Sequence, residues 1–280
     1  MIAVVEGIVT IRTAAEAALA AAGARPDESF SLFDAVLACA LHEAPGRDTA
    51  PAHDLASFAV ARLTERLAHE RPEDALCEAL GGDLRLAGDH LNYDDPANAD
   101  LIAVCARRKG LPVALGVIYI EAARRCGLEV CGVDFPNHFL LRIETGDGPI
   151  ALDPFAGGRV VMPSELTQRA LAAGLMPHVA ARMDALMAPV RDRQVAMRLE
   201  NNIFARAQRS GDFARAERSA LRRALIDPSD HRPWLDVAAA REGQGALTGA
   251  LEALGRAQVL DGGAAMAARA ARERMRLKLN

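Results

Sequence analysis

The sequence predicts an α+β protein in which helical regions flank a small antiparallel sheet. Apolar residues recur at spacings of three and four before residue 108 and again after residue 197, as they do in helices. Between residues 128 and 162 the spacing changes to two, which is typical of strands. Aromatic residues make up only 4% of the 280 residues, whereas alanine, the best helix former, is abundant.

Residues 1–108 form the predicted helical N-terminal region. Helical spacing runs through residues 31–42 and 51–67, and Pro72 opens a third helix at a position that suits proline. The polar loop Leu91–Asp100 is rich in turn-forming residues and leads into another helix. We expect this region to pack with the following α+β segment as one domain.

Residues 109–195 form the predicted α+β core. A helix begins near Pro112, and Gly127 is placed to end it. After it the alternating pattern predicts a meander of strands, followed by a helix that Pro163 opens. The predicted strands are Leu128–Asp134, His138–Ile143, Ile150–Asp153 and a sheet edge over residues 159–162.

Residues 197–280 show self-similarity with a period of 34 residues. Gly211 corresponds to Gly245 in this register, whereas Glu200 falls opposite Trp234 and does not match. A period of 34 is typical of tetratricopeptide (TPR) repeats, so we expect two TPR-like repeats followed by a capping helix, Ala264–Leu279. The alternative is two ordinary helical hairpins whose spacing coincides by chance.

Composition and charge exclude several classes of function. The net charge is −4 and the basic residues are interleaved with acidic ones, so the sequence predicts no nucleic-acid partner and no binding to a membrane surface. No uncharged apolar stretch is long enough to span a bilayer, and the N-terminus lacks the pattern of a signal peptide, so we expect a cytoplasmic protein. We expect no cofactor and no metal, because no ligand pair has zinc-like spacing. Oligomeric state leaves no signal in the sequence.

Five cysteines occur without a CxxC pair, and most lie in apolar helical segments. Such thiols are usually buried and reduced. The cysteines are Cys39, Cys77, Cys105, Cys126 and Cys131.

A histidine and an aspartate are the candidate catalytic residues. His138 and Asp153 are fifteen residues apart on neighbouring predicted strands, a spacing that can bring the two side chains together. A carboxylate on one imidazole nitrogen is the orienting half of a nucleophilic triad. The missing part is a thiol at a helix N-terminus, where its pKa would be lowered. The alternative is a pair retained because it holds the strands in register.

Three sequence motifs resemble the bacterial SirB-type family. They contain the string Arg107-Arg-Lys-Gly-Leu-Pro, the string Phe135-Pro-Asn-His-Phe-Leu-Leu-Arg and the string Leu152-Asp-Pro-Phe-Ala-Gly-Gly. The preceding loop, which carries Asn92, Asp94 and Asn98, adds to the resemblance. The resemblance covers roughly residues 30–265 and implies a helical N-terminal region, a papain/transglutaminase-like core and C-terminal TPR-like helices. The family usually has glycine before the histidine, where this chain has Asn137, a residue that tolerates a left-handed turn.

The resemblance also implies that the nucleophile is missing. In active members of the wider transglutaminase-like superfamily, a cysteine lies two residues after the glycine at the helix start, and a second glycine follows seventeen residues after the first. Gly110 and Gly127 match that frame, which puts Pro112 at the cysteine position. The alternative is an active cysteine-dependent amidohydrolase or transamidase that uses a relocated cysteine (Cys105, Cys126 or Cys131) with His138 and Asp153.

We therefore expect a pseudoenzyme that serves as a regulatory or adaptor module and binds a protein or peptide. The two candidate surfaces are the old catalytic cleft and the TPR-like face. A third reading is a purely structural adaptor that works through the TPR-like face alone. The cleft candidates are Asn92, Asp94, Asn98, Tyr119 and Asn137.

Overall fold

The computed structural model describes residues 2–260 and 268–273, with side chains from residue 11 onward. Helices dominate the described residues before residue 87 and after residue 190, and the strands lie between these positions. The helices are α1 (Ile2–Gly23), α2 (Leu32–Glu43), α3 (Ala50–Leu67), α4 (Pro72–Cys77), α5 (Leu101–Arg107), α6 (Pro112–Arg125), α7 (Pro163–Ala172), α8 (Pro177–Ala180), α9 (Met183–Leu186), α10 (Asp192–Ser210), α11 (Phe213–Ile226), α12 (Arg232–Gly243) and α13 (Leu247–Leu260). The strands are β1 (Ala87–Gly88), β2 (Lys109–Gly110), β3 (Val130–Val133), β4 (Leu140–Thr145), β5 (Gly148–Asp153), β6 (Arg159–Val161) and β7 (Pro189–Val190).

The chain divides into two compact units. The core unit is Asp48–Val195, and the helical unit combines Met1–Arg47 with Ala196–Asn280. The sequence predicted instead that all of residues 1–108 would pack with the core. The first helices join the C-terminal helices because α2 and α11 are linked by ion pairs, such as that between Glu43 and Arg222 at 2.8 Å.

The larger sheet of the core unit is antiparallel, with strand order β6-β5-β4-β3-β7, and β1 and β2 form a separate two-stranded parallel sheet. Helix α6 covers one face, where Gly116 allows close approach of Phe139 and Leu141. The other face carries an apolar cluster in which Ala151 packs with Leu166 and neighbouring residues of α7 to α9. The predicted small antiparallel sheet among helices is therefore confirmed, while strands β1, β2 and β7 had no counterpart in the prediction.

His138 precedes the sheet, although the sequence predicted it inside a strand. Strand β4 begins at Leu140, and residues 136–138 form a turn and a bend. Pro136 has no backbone N–H to donate, and Asn137 has a φ of +56°, in the left-handed region that asparagine tolerates. The backbone N–H of His138 donates to the carbonyl oxygen of Phe135 at 3.0 Å, which closes the turn.

The helical unit contains α1, α2, α11, α12, α13 and most of α10. Gly23 of α1 lies against the backbone carbonyl of Leu225, at a distance that a Cβ atom would prevent. Gly211 and Gly245 end α10 and α12 with φ values of +73° and +76°, so these two positions, 34 residues apart, share a backbone conformation. The predicted capping helix, Ala264–Leu279, lies partly outside the described residues. Its described part, residues 268–273, is helical. The TPR assignment itself stays a prediction.

Neither membrane spans nor metal clusters occur in the part of the chain that the structure describes. Within residues 2–260 and 268–273, each helix is too short or too polar to cross a bilayer. In the same ranges, three or more His, Cys, Asp or Glu side chains never come together as metal ligands would.

Candidate functional site

The centre of the candidate site is a hydrogen-bonded pair. His138 Nε2 lies 3.0 Å from Asp153 Oδ1, at the end of strand β5. The other carboxylate oxygen, Oδ2, accepts a hydrogen bond from Arg169 Nη1 at 2.9 Å. Oδ1 also accepts from the backbone N–H groups of Phe155 and Ala156, at 3.1 and 3.3 Å. Asp153 therefore receives hydrogen bonds from four directions, and it is only 4% exposed.

This arrangement sets the charge of Asp153 and the tautomer of His138. Burial opposes ionisation of Asp153, but the hydrogen bonds from His138 and Arg169 and the positive charge of Arg169 outweigh it and lower the pKa of the carboxyl to about 2. An ionised carboxylate can only accept a hydrogen bond, so Nε2 carries the proton. In the neutral ring, Nδ1 then keeps its lone pair. The pair thus orients the imidazole as the carboxylate of a triad does.

An aromatic surface lies next to this pair; we define it as His90, Tyr93, Phe155 and His138. The ring of Phe155 is at its centre, with ring centroids of His90 at 4.5 Å, Tyr93 at 5.8 Å and His138 at 6.4 Å. All three contacts are edge-to-face, the arrangement that aromatic pairs favour. His90 is exposed, Tyr93 is 46% exposed, and the side chain of His138 is 22% exposed. The surface is therefore open to a partner.

The buried carboxylate of Asp89 anchors the loop that carries His90 and Tyr93. Asp89 accepts hydrogen bonds from the backbone N–H of Asn92 at 3.1 Å and from Arg107 Nη2 at 2.9 Å. Burial acts to raise the pKa of Asp89, but these donors and the charge of Lys109 lower it overall. Ionised Asp89 thus anchors the loop without exposing its own charge.

The structure divides the predicted cleft residues into two groups. Asn92, Asp94 and Asn137 are exposed beside or within the loops of the site. Asn98 is fully buried, and its Nδ2 donates to the carbonyl of Asn92 at 2.7 Å, so it braces the loop from inside. Tyr119 is also fully buried, and its ring packs against Gly158. Burial raises the pKa of Tyr119, so its side chain belongs to the core and not to an open surface.

Pro112 is the first residue of α6 and is buried. Gly116 lies one turn further along, on the same helical face, and packs against Phe139, the residue after His138. The position that the sequence assigned to a nucleophile is thus at the N-terminus of the helix that packs on the strand following His138. A proline side chain there offers no attacking atom.

Four of the five thiols lie in surroundings that favour their protonated form. Cys77 Sγ donates to the carbonyl of Gly157 at 3.5 Å, in the loop after Asp153. Cys126 is at the opposite end of α6 from Pro112 and contacts the carbonyl of Val60 at 3.6 Å. Burial is the main cause that raises the pKa of four thiols, and for Cys105 the value is about 12. The thiols with raised pKa values are Cys39, Cys77, Cys105 and Cys131.

Sequence reasoning missed three residues of the site. Phe155 stands two residues after Asp153, and the Asp-Pro-Phe string was a usable signal for it. His90 directly precedes the polar loop, but nothing local pairs it with a phenylalanine 65 positions later. Arg169 lies in α7, and no spacing rule connects a helical arginine with a carboxylate at the end of a strand.

Comparisons with known proteins place this site in a family context. A family model described as the transglutaminase-like superfamily matches residues 52–201, more than half of the chain. A UPF0162 protein of Xylella fastidiosa (strain Temecula1) is 35% identical over 179 residues, which cover 62% of this chain and 62% of that protein. A UPF0162 protein of Vibrio cholerae is 36% identical over 165 residues, with coverages of 54% and 57%.

A eukaryotic protein matches a shorter region. F-box only protein 21 of Mus musculus is 29% identical over 146 residues, which are 49% of this chain and 22% of that protein. The chain spans at most about three-fifths of the length of these curated relatives. No solved structure matches the chain.

Proposed function

This chain belongs to the transglutaminase-like superfamily, and we propose that it is a non-catalytic member that binds a peptide segment of a partner protein at the aromatic surface. In this role it acts as a regulatory or adaptor module of the SirB type. The observation that carries the proposal is the combination of an oriented, partly exposed His138 with Pro112 at the start of the neighbouring helix.

The geometry of the aromatic surface supports peptide binding. Aromatic side chains with one face open supply contact area at low entropic cost, because each has few rotatable bonds. The partly exposed imidazole of His138, which Asp153 orients, adds a polar group at the edge of the surface. The loop anchored by Asp89 is already ordered, so little conformational freedom remains to be lost on binding.

Catalysis by a relocated cysteine is the competing function. Cys77 is the thiol that contacts the loop after Asp153, through the carbonyl of Gly157. Its raised pKa argues against it, because the thiolate is the nucleophilic form. The hydrogen bond from Sγ to a carbonyl also stabilises the neutral thiol.

The helical unit provides the second proposed surface, as a TPR-like stack. The matching left-handed positions of Gly211 and Gly245 support a repeat of 34 residues. In an adaptor of this design, the core unit would recognise one segment and the helical unit another.

Peptide selection tests the aromatic surface. A displayed peptide library is panned on the full chain, and the affinity of the selected peptides is measured by fluorescence anisotropy. We expect Tyr93→Ala and His138→Ala to weaken binding at least about tenfold, because each removes a contact at the centre of the surface. The matched control is Met176→Ala, since Met176 is 63% exposed and lies outside the surface. Equal affinities for all four proteins, or no selected peptide, would overturn the proposal.

Thiol labelling tests the competing enzyme. Wild type and His138→Ala are treated with iodoacetamide, and the labelled cysteines are identified by mass spectrometry over time. We expect slow labelling that does not depend on His138. Rapid labelling of one cysteine that disappears in His138→Ala, and in the Ser variant of that cysteine, would replace the proposal with a relocated nucleophile.

A further inference from the structure

A pocket of the core unit lies between strands β5 and β6 and helices α7 and α9. It is a pocket of about 420 Å³, within the range of small-molecule sites. Its walls include the buried side chains of Ala151, Val161 and Leu166, which belong to the apolar cluster of the sheet. Met162, at 60% exposure, also lines it. The pocket shares no residue with the aromatic surface.

Three methionines line this pocket: Met162, Met183 and Met187. Methionine is unbranched and polarisable, so it adapts its shape to a flexible apolar guest. The other apolar lining residues are aliphatic or proline, without an aromatic ring. Such walls suit an unbranched alkyl chain better than a flat ring that requires stacking.

A single arginine supplies a directed donor among the lining residues. Arg142 Nε donates to Glu144 at 2.6 Å, and Nη1 donates to the carbonyl of Met187 at 3.1 Å. These two bonds hold the guanidinium, while Nη2 makes no hydrogen bond to any residue that the structure describes. The other charged lining residue, Asp184, is already paired with Arg182 at 3.2 Å. An oxygen ligand beside Arg142 in the pocket would use its remaining N–H groups.

The volume limits the size of the guest. At about 30 Å³ for each water-sized group, 420 Å³ holds about 14 such groups. A saturated carboxylate of about ten to twelve carbons has that size.

We propose that this methionine pocket binds a free, unbranched monocarboxylate of about ten to twelve carbons, with its chain against the methionines and its carboxylate on Arg142. The chain supplies the affinity through burial of apolar surface. The arginine supplies orientation and selects an acid over the corresponding alcohol.

A chain-length series tests the proposal on the full-length protein. Octanoate, decanoate, dodecanoate and hexadecanoate are titrated by calorimetry below their micellar concentrations, with decanol as the uncharged comparison. We expect affinity to rise about fourfold for each added methylene up to about twelve carbons and then to level off, because the pocket is full. We expect decanol to bind about tenfold more weakly than decanoate, because it loses the charge-assisted bond.

Matched variants assign the binding to this pocket. Met183→Trp should fill the pocket and abolish decanoate binding, whereas Met176→Trp, outside it, should leave binding unchanged. Arg142→Gln should reduce decanoate to the affinity of decanol. Thermal melts establish that each variant is folded, and a second filling variant, Met162→Trp, serves if Met183→Trp is not.

Three results would overturn the proposal. The first is no carboxylate binding at millimolar concentration, and the second is binding that survives both filling variants. The third is loss of selected peptides, without any carboxylate binding, when the pocket is filled. In that case the pocket accepts an apolar side chain of a protein partner instead of a free acid.

Discussion

Two clusters in this molecule combine histidine, carboxylate and arginine, and they differ in burial. In the core unit, His138, Asp153 and Arg169 form a chain of hydrogen bonds in which the histidine is 22% exposed. In the helical unit, His42 and Arg222 belong to a similar cluster, but each is only 1% exposed. The same chemical groups are thus available to a ligand in one unit and closed to it in the other.

The buried cluster is centred on Arg222. Its Nε donates to Glu200 at 3.0 Å and its Nη1 to Glu43 at 2.8 Å, while Nη1 also lies 3.3 Å from His42 Nδ1. A guanidinium can only donate, so Nδ1 accepts, and Nε2 of His42 donates to Glu16 at 3.0 Å. His42 is therefore neutral, and burial followed by the charge of Arg222 lowers its pKa.

Burial decides what such a cluster does. Arg222 joins α2 to α10 and α11, and its charge is satisfied by Glu43 and Glu200, so its effect is on the assembly of the helical unit. Asp153 is also buried, but it orients a histidine that is partly exposed at the surface.

Two arginine contacts at positions related by the 34-residue period also differ in their chemistry. Glu200 corresponds to Trp234, and Arg222 corresponds to Arg256. Glu200 and Arg222 form an ion pair at 2.9 Å. At the corresponding positions, the guanidinium of Arg256 lies 4.6 Å from the ring centroid of Trp234. The mismatch at Glu200 therefore keeps a contact with arginine and changes its chemistry from cation–π to ionic.

The largest effect should come from breaking the buried cluster. Arg222→Met leaves Glu43 and Glu200 without their buried partner, and we expect the free energy of unfolding to fall by about 3–5 kcal/mol in urea denaturation. The control is Arg62→Met, which breaks an exposed pair with Glu65 and should cost about 0.5 kcal/mol. Equal losses in the two variants would contradict the distinction between the clusters.

The ionised carboxylate of Asp153 should stabilise the folded protein in a pH-dependent way. The pKa of Asp153 is about 2 in the folded protein and about 4 when unfolded, so its ionisation stabilises by about 2–3 kcal/mol at neutral pH. Because the folded pKa is the lower one, this contribution is present above pH ~4 and is lost as pH falls towards 2. Urea denaturation across this range should show that Asp153→Asn lacks it. An unchanged pH profile in the variant would refute the assignment.

The buried histidine should respond at a higher pH. The pKa of His42 is lowered in the folded protein, so below about pH 6.5 the unfolded chain takes up the proton first. We therefore expect stability to fall as pH drops below about 6.5 towards the folded pKa. Thermal melts of wild type and His42→Gln between pH 7.5 and 5 measure it, and the variant should lose that part of the pH dependence. A profile that His42→Gln leaves unaltered would show that other groups are responsible.

The smallest effect on stability should come from the exposed histidine. His138→Ala leaves Asp153 with Arg169 and two backbone N–H groups, so we expect a loss of about 1 kcal/mol or less. The same variant should nevertheless weaken peptide binding about tenfold. A large loss of stability, with peptide affinity intact, would assign His138 to the structural class of His42.

Local pattern predicted much of this molecule. The change of apolar spacing from helical to alternating predicted the sheet between residues 128 and 162, and the structure has β3 to β6 there. The fifteen-residue spacing predicted that His138 would lie beside Asp153, and the two are 3.0 Å apart. The left-handed conformation at Asn137 was also expected from the residue type alone.

The sequence by itself determined where strands interrupt the helices and the pairing of His138 with Asp153, because these depend on periodicity and on segments adjacent in the chain. Tertiary structure alone decided that Arg169 holds Asp153, that His90 meets Phe155, and that the first 47 residues join the C-terminal helices. The contact between Glu43 and Arg222 spans 179 positions. Contacts of that kind leave no local pattern, since they depend on how whole elements pack and on which charges that packing buries.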